Sequence, residues 1–300
     1  MSTSARRPAS SSVSLGSLAR AARAARASAS GLAAFNVIHL EHATALVRAA
    51  RRADRPIVLQ ISENAVRYHG GLEPIVCATL AVARTAGVPA LVHLDHAEDV
   101  ALIREAVALG VHSVMYDGSH LPDRENRETT RGVVEFCHAA GVDVEAELGE
   151  VGGKNGVHDP SARTSPADAA AFVAETGVDL LAVAVGSSHA MTSRDAELDE
   201  ELIRSLRAAV DVPLVLHGGS GVSDDGIRSA IRAGMTKINV STQLNKVFTG
   251  TVRSVLSQEP ALVDSRKWMA PARAAVEEEA LRLITLYAPD PTSGTGNQTR

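Results

Sequence analysis

The sequence predicts a (β/α)8 barrel, a closed parallel sheet of eight strands wrapped by helices. Three observations predict it. Short β-branched apolar runs alternate with longer stretches of helical spacing, the pattern of a parallel sheet. Eight such runs recur within about 250 residues, the usual size of this barrel. Runs such as Leu180–Val185 are continuously apolar, as strands covered on both faces must be. An open doubly wound sheet leaves unexplained both the even repeats and the lack of a Gly-x-Gly-x-x-Gly turn after the first strand.

The first 30 residues hold five arginines and no acidic residue. That composition overlaps with an organellar transit peptide. Without a long apolar stretch, the expected reading is a disordered tip over residues 1–13 followed by a short basic helix, Leu15–Ala27. The barrel domain is then expected over residues 14–288. Its first strand is Ala33–Val37, followed by a helix over Glu41–Ala53. Strand Pro56–Ser62 leads to helix Leu72–Ala86, and strand Pro89–Asp95 to helix Ala97–Leu109. Strand His112–Asp117 precedes helix Asp123–Ala140, and strand Val142–Leu148 precedes helix Pro166–Thr176. The last units are Leu180–Val185 with Asp199–Ala209, Pro213–His217 with Asp224–Ala233, and Lys237–Val240 with Gln243–Ser257. Gly110, Gly141, Gly177 and Gly234 sit where helices hand over to the next strand. A final helix near Lys267–Tyr287 precedes a polar tail, residues 289–300.

Bulk composition narrows the function. With 45% hydrophobic and 22% charged residues the chain is of the globular type, and only 3% aromatics leave the core to Val, Leu, Ile and Ala. A net charge of −5 argues against a nucleic-acid surface. No apolar run approaches the roughly 18 residues that a membrane span needs. Cys77 and Cys137 both fall within helical stretches and read as buried thiols in a reducing compartment, so a cytoplasmic location is expected.

In such barrels, chemistry sits where strands end. The third expected strand ends in His93-Leu94-Asp95-His96, and the fourth in Tyr116-Asp117-Gly118-Ser119-His120. The fifth carries Glu145 and Glu147, and the sixth leads to Gly186-Ser187-Ser188-His189. The seventh ends in His217-Gly218-Gly219-Ser220-Gly221, and the eighth in Asn239-Val240-Ser241-Thr242. Histidines from several strand ends around one rim point to a metal. Imidazole suits zinc, and three protein ligands leave positions open for substrate oxygen. The glycine-rich turn and the Asn239–Thr242 stretch offer N–H groups and hydroxyls after the last two strands, where phosphate usually binds.

The residues that carry these features resemble the class II fructose-bisphosphate and tagatose-bisphosphate aldolases over about Leu15 to Tyr287. The matching stretches are Ala34-Phe35-Asn36-Val37, Val92–Ala97, Ser113–Pro122, Val144–Gly149, Leu181–Gly186, Leu216–Gly221 and Lys237–Val240. The resemblance implies a zinc ion held by His96, His189 and His217. It implies that Asp95 gives a proton to the carbonyl oxygen that becomes the C4 hydroxyl, and that Asp117 and Glu147 line or brace the metal. Asn36, Ala190, Gly218, Gly219, Ser220, Asn239, Val240, Ser241 and Thr242 are the implied substrate and phosphate contacts, with a monovalent cation (Na+ or K+) nearby. The implied activity is reversible cleavage of a ketose phosphate to dihydroxyacetone phosphate and an aldehyde. That is carbohydrate chemistry of the glycolytic type, in a homodimer or homotetramer.

Two departures from the family pattern stand out. Lys154 and Asn155 occupy loop positions where the family carries glutamates, one of which shuttles the carbon-bound proton; Glu150 or His158 is a substitute. Ala190 replaces a phosphate-contacting glycine, and Met191–Glu197 lacks the usual Tyr-Lys-Gly. The alternative function is therefore a weakly active relative that binds zinc and sugar phosphate in a regulatory role; a barrel hydrolase is disfavoured because Asn36 stands where a His-x-His pair ends the first strand. His39, His42 and His69 read as surface histidines and His93 as a structural partner.

Overall fold

The computed structural model describes residues 16–148 and 163–289. The expected tip (1–13), the stretch with Glu150, Lys154, Asn155 and His158, and all but the first residue of the expected tail lie outside the described residues. The chain runs α1 (Leu18–Ala27), β1 (Leu32–Asn36), α2 (Leu40–Ala53), β2 (Ile57–Ser62), α3 (Glu63–His69), α4 (Glu73–Ala83) and β3 (Ala90–Ala97). It continues with α5 (Val100–Leu109), β4 (Ser113–Tyr116), α6 (Asp123–Ala139), β5 (Asp143–Leu148), α7 (Pro166–Thr176), β6 (Leu180–Val183) and α8 (Glu200–Ala209). Then come β7 (Leu214–Leu216), α9 (Asp224–Ala233), β8 (Met235–Val240), α10 (Thr242–Gln258) and α11 (Ser265–Leu286). The strands form a closed barrel in sequence order, and β1 pairs parallel with β8.

Local chemistry explains most boundaries. Pro56, Pro89 and Pro213 stand immediately before β2, β3 and β7, where a missing N–H interrupts no ladder. Ala97, expected to open a helix, is instead the last residue of β3. The helix starts at Val100 because the Asp99 carboxylate accepts the N–H of Ala101. Helix α3 was not expected. Seven residues are too few for a periodic signal, but Ser62 caps it by accepting the N–H of Ala65 at 3.2 Å.

Side chains pack in two shells. Alternate strand residues such as Phe35, Leu59 and Val92 face the helices in the outer core. Their neighbours Leu32, Ala34, Val58, Leu91, Leu180, Ala182 and Val215 form a second cluster with Leu18, Ala19, Ala22 and Ala25 of α1. The period-two alternation of strands sends this set into the barrel interior, and α1 closes that interior at the N-terminal end. In the same inward phase, one layer higher, come Gln60, His93, Ser113, Glu145 and Lys237, all fully buried. The barrel is thus apolar below and polar above, and the polar layer carries the strand ends.

One expectation about the core fails. Cys137 is buried, but Cys77 is exposed. Its helix turns Ile75, Val76, Thr79 and Leu80 inward, and residue 77 falls outside the arc they span on the helical wheel.

The closure by α1 rests on Asp143 at the start of β5, whose Oδ2 accepts from Ser17 Oγ at 2.7 Å and from Ala19 N at 2.9 Å. Replacing it, Asp143→Ala, is expected to lower stability by about 1–3 kcal/mol, read as a lower urea midpoint. An unchanged midpoint would show that the interior layer does not depend on this anchor.

Candidate metal centre

The site begins with an irregularity in β3. Adjacent residues of a regular strand face opposite sides, so Asp95 and His96 should not share a site. Between Leu94 and Ala97, β3 holds one more residue than the facing part of β4. His96 takes up φ 49°, in the left-handed region that costs a non-glycine residue roughly 1–2 kcal/mol. This bulge turns His96 toward the same mouth as Asp95. A strained non-glycine residue of this kind commonly marks a functional position.

Around the mouth, ligand atoms of His96, Glu147, His189 and His217 all lie within 4.8 Å of one another. Each comes from a different strand end: β3, β5, the turn after β6, and the residue after β7. Carboxylates orient the rings. His96 Nδ1 donates to Asp117 Oδ2 at 2.7 Å, which leaves Nε2 as the free lone pair. Asp117 is itself fixed by Ser119, whose hydroxyl donates to its Oδ1 at 2.7 Å. His217 Nε2 donates to Glu145 Oε1 at 3.1 Å.

These residues fit a metal ion. His189 Nε2 and His217 Nδ1 are buried with no hydrogen bond to satisfy them, and the Glu147 carboxylate stands 3.0 Å from the latter. Buried nitrogens without partners are costly; three imidazoles and a carboxylate converging on one point satisfy themselves by sharing a cation. Burial, with His96 and His217 close by, holds His189 well below the ordinary histidine pKa, so it is neutral and able to coordinate. Burial also disfavours charge on His217, but Glu145 and Glu147 outweigh it and raise its pKa to about 10.

Asp95 lies beside this cluster, almost fully buried. Asn36 Nδ2 donates to its Oδ2 at 3.3 Å, and Oδ1 has no protein partner. Burial pushes its carboxyl up, but His96, Lys237, His93 and His217 more than compensate and hold it below the usual range. It is therefore ionised, with one oxygen free to accept a proton.

The expected phosphate contacts sit together on the adjoining arc. A side chain at Gly218 (φ 69°) would meet the Ser188 carbonyl at 2.5 Å, so the turn after β7 tolerates only glycine there. Ser220 Oγ accepts the N–H groups of Ser241 at 3.3 Å and Gln243 at 3.1 Å, tying that turn to the start of α10. Asn239 is nearly buried, and its Oδ1 has no partner. Val240 buries its side chain in the outer core, leaving only its backbone for a ligand. Ala190 has φ 57°, the conformation glycine favours, so the substitution keeps a glycine-type backbone and adds a methyl group. A cavity of about 940 Å³ lies elsewhere, beneath the barrel between α1 and the starts of β2 and β3.

Sequence reasoning expected Glu147 to line or brace the metal, and its carboxylate lies among the clustered ligand atoms. It missed the pairing of Glu145 with Lys237, 2.8 Å apart and both fully buried. The signal was present: Glu145 and Glu147 are two apart on one strand and so face the same way. Lys237 is committed to this ion pair. His93 is structural as expected, buried against Ser113 Oγ at 2.8 Å. His42 is not a surface residue. It is buried, with its ring 5.0 Å from that of Phe248 and tilted by 34°, and burial lowers its pKa to about 4. His69 contacts the Ile38 carbonyl oxygen at 2.7 Å through Nε2.

Comparison with known proteins gives the family and the fold. The family model for fructose-bisphosphate aldolase class-II matches residues 17–289. Among solved structures, the YdjI aldolase from Escherichia coli K12 superposes with a TM-score of 0.81 at 33% identity, over 93% of this chain and 99% of that one. A putative fructose-1,6-biphosphate aldolase from Coccidioides immitis gives 0.80 at 28% identity, over 92% and 97%. Fructose-bisphosphate aldolase from Campylobacter jejuni, at 22% identity and a TM-score of 0.73 over 90% and 93%, shares the fold.

A proton balance follows. With its pKa raised to about 10, metal-free His217 is an imidazolium at neutral pH, whereas coordination requires a neutral nitrogen. Binding of a divalent metal ion is expected to release a proton from His217, and apparent affinity to rise by up to about tenfold per pH unit below that pKa. Calorimetry in two buffers of different ionisation heat measures the release. No release at neutral pH would show that His217 is already neutral in the metal-free protein.

Proposed function

The chain belongs to the class-II fructose-bisphosphate aldolase family, and on that premise we propose that it is a zinc-dependent aldolase cleaving a ketose phosphate to dihydroxyacetone phosphate and an aldehyde. The observation that carries this reading is the meeting of four ligand atoms within 4.8 Å at the rim, with Asp95 beside them. His96, His189 and His217, with Glu147 close by, would hold the ion, and a ligand set rich in imidazole favours zinc. Once bound, zinc acts as a Lewis acid, offsetting the negative charge that develops on the ketose oxygens.

The remaining work falls to the chain. In cleavage, ionised Asp95 takes the proton of the C4 hydroxyl as the C3–C4 bond breaks. In condensation it returns that proton to the aldehyde oxygen. Asn36 holds the carboxylate by its other oxygen, leaving Oδ1 for the substrate. Gly218, Gly219, Ser220 and the backbone from Asn239 to Thr242 take the phosphate, because N–H groups at the start of α10 attract an anion. The proton that ends on C3 is assigned to the loop with Glu150 and His158. Fructose and tagatose 1,6-bisphosphates and a deoxy-keto sugar acid phosphate are the candidate substrates. A homodimer or homotetramer is part of this reading. A cytoplasmic setting agrees with the lack, among the described residues, of any helix long and apolar enough to cross a membrane.

The test is a coupled cleavage assay of zinc-loaded protein on these substrates. Asp95→Ala is expected to lower kcat by about 10²–10⁴-fold with zinc still bound, and chelation to abolish turnover. Silence on every substrate from a protein that holds zinc would overturn the catalytic reading. Lys154 and Asn155 would then mark the chain as a binding relative.

A further inference from the structure

The interior of the barrel holds an ion pair that the reaction does not use. Lys237 Nζ lies 2.8 Å from Glu145 Oε2, and neither side chain is exposed to solvent. The other carboxylate oxygen, Oε1, accepts from His217 Nε2 at 3.1 Å. On the far side of the ring, Nδ1 is buried without a hydrogen bond and belongs to the cluster of possible ligand atoms. His93 Nε2 is 3.9 Å from the same carboxylate, and its ring is fixed by Ser113 at 2.8 Å.

We propose that Lys237 and Glu145 are positioning residues for the metal centre. Lys237 holds the Glu145 carboxylate in place, and Glu145 takes the Nε2–H of His217, so that the ring presents an unprotonated Nδ1 to the ion. This rests on the reading of the cluster as a zinc site. An imidazole has two nitrogens, and which one carries the proton is set by the hydrogen bond the other side makes. Without an acceptor inside the barrel, the ring is free to rotate about its Cβ–Cγ bond or to place its proton on Nδ1, and either change removes a ligand. Glu145 can perform this task only as an acceptor held still. A carboxylate enclosed by a barrel needs a cation, and Lys237 reaches it from β8, on the opposite side of the closed sheet from a surface role. Removing one partner of a metal ligand's orienting contact typically costs about 10–100-fold in metal affinity.

Single substitutions leave a lone buried charge and so confuse positioning with folding. Two double variants separate them. Glu145→Gln with Lys237→Met removes both charges but keeps a side-chain oxygen able to accept from Nε2. Glu145→Leu with Lys237→Met removes both charges and the acceptor, at similar volume. Replacement of a buried ion pair by apolar residues is often neutral or stabilising, so both are expected to fold, as checked by thermal melting. Zinc affinity is measured by competition with a chromogenic chelator, and the protonated nitrogen of His217 by nitrogen-detected NMR of the zinc-loaded protein. The Gln/Met variant is expected to bind zinc within about threefold of the parent and to keep its proton on Nε2. The Leu/Met variant is expected to bind about 10–100-fold more weakly. Equal affinity in the two variants, whether both tight or both weak, would overturn the proposal. A parent chain that binds no zinc would instead overturn the metal-site reading on which it rests, so the two failures are distinguishable.

Discussion

A carboxylate taken out of water needs a partner of opposite charge, and strand β5 alone buries two of them, Glu145 and Glu147. Their partners are what the upper half of the barrel is built from. Glu145 engages Lys237 from β8 and His217 from the end of β7. Glu147 stands against the other side of the His217 ring. Burial pushes the Glu145 carboxyl up, but Lys237, His217 and His93 hold it far below the usual range. His93 itself is kept neutral, at about 3, by burial and by Lys237. One strand thus supplies two anions that set the charge state of the layer around them. The apolar layer below, closed by α1, keeps water away from the same charges and makes their interactions strong.

Two strained positions complete the mouth. His96 and Ala190 are both non-glycine residues with positive φ, and each lies at a point where a strand gives way to the site. At His96 the strain has a visible return, since the β3 bulge brings a ligand and Asp95 to one side. At Ala190 the backbone keeps the conformation suited to glycine while the side chain adds bulk next to His189. Strain of this kind persists only where the surroundings hold it. Here the surroundings are the Asp117–His96 hydrogen bond and the glycine turn that packs against Ser188.

The layout assigns separate tasks to separate arcs of the rim. Ends of β3, β5, β6 and β7 supply the ligand atoms, β1 and β3 supply Asn36 and Asp95, and the turns after β7 and β8 supply N–H groups near the start of α10. Each task falls to rigid strand ends rather than to the helices outside, so substitutions in the outer shell can alter stability while leaving the geometry of the rim in place. Ahead of α7, Thr164 Oγ1 donates to the carbonyl of Leu148, the last residue of β5, at 2.8 Å.

The sequence by itself determined the eight strands, their order, the ring of histidines and acids at their ends, and Asp95. Those features are carried by local signals: apolar runs of strand length, glycines that stop helices, and polar residues confined to strand ends. It did not determine that Asp95 and His96 act together, because strand alternation places neighbours on opposite faces and only the extra residue in β3, seen against β4, reverses that. Nor did it reveal that Lys237 answers Glu145, that His42 is buried against Phe248, or that Cys77 faces solvent. Each of these depends on which distant element lies opposite, and that is fixed only when the sheet closes and β8 comes to lie beside β1. Closure is a property of the whole chain, and so the inventory of the site was local while its wiring was tertiary.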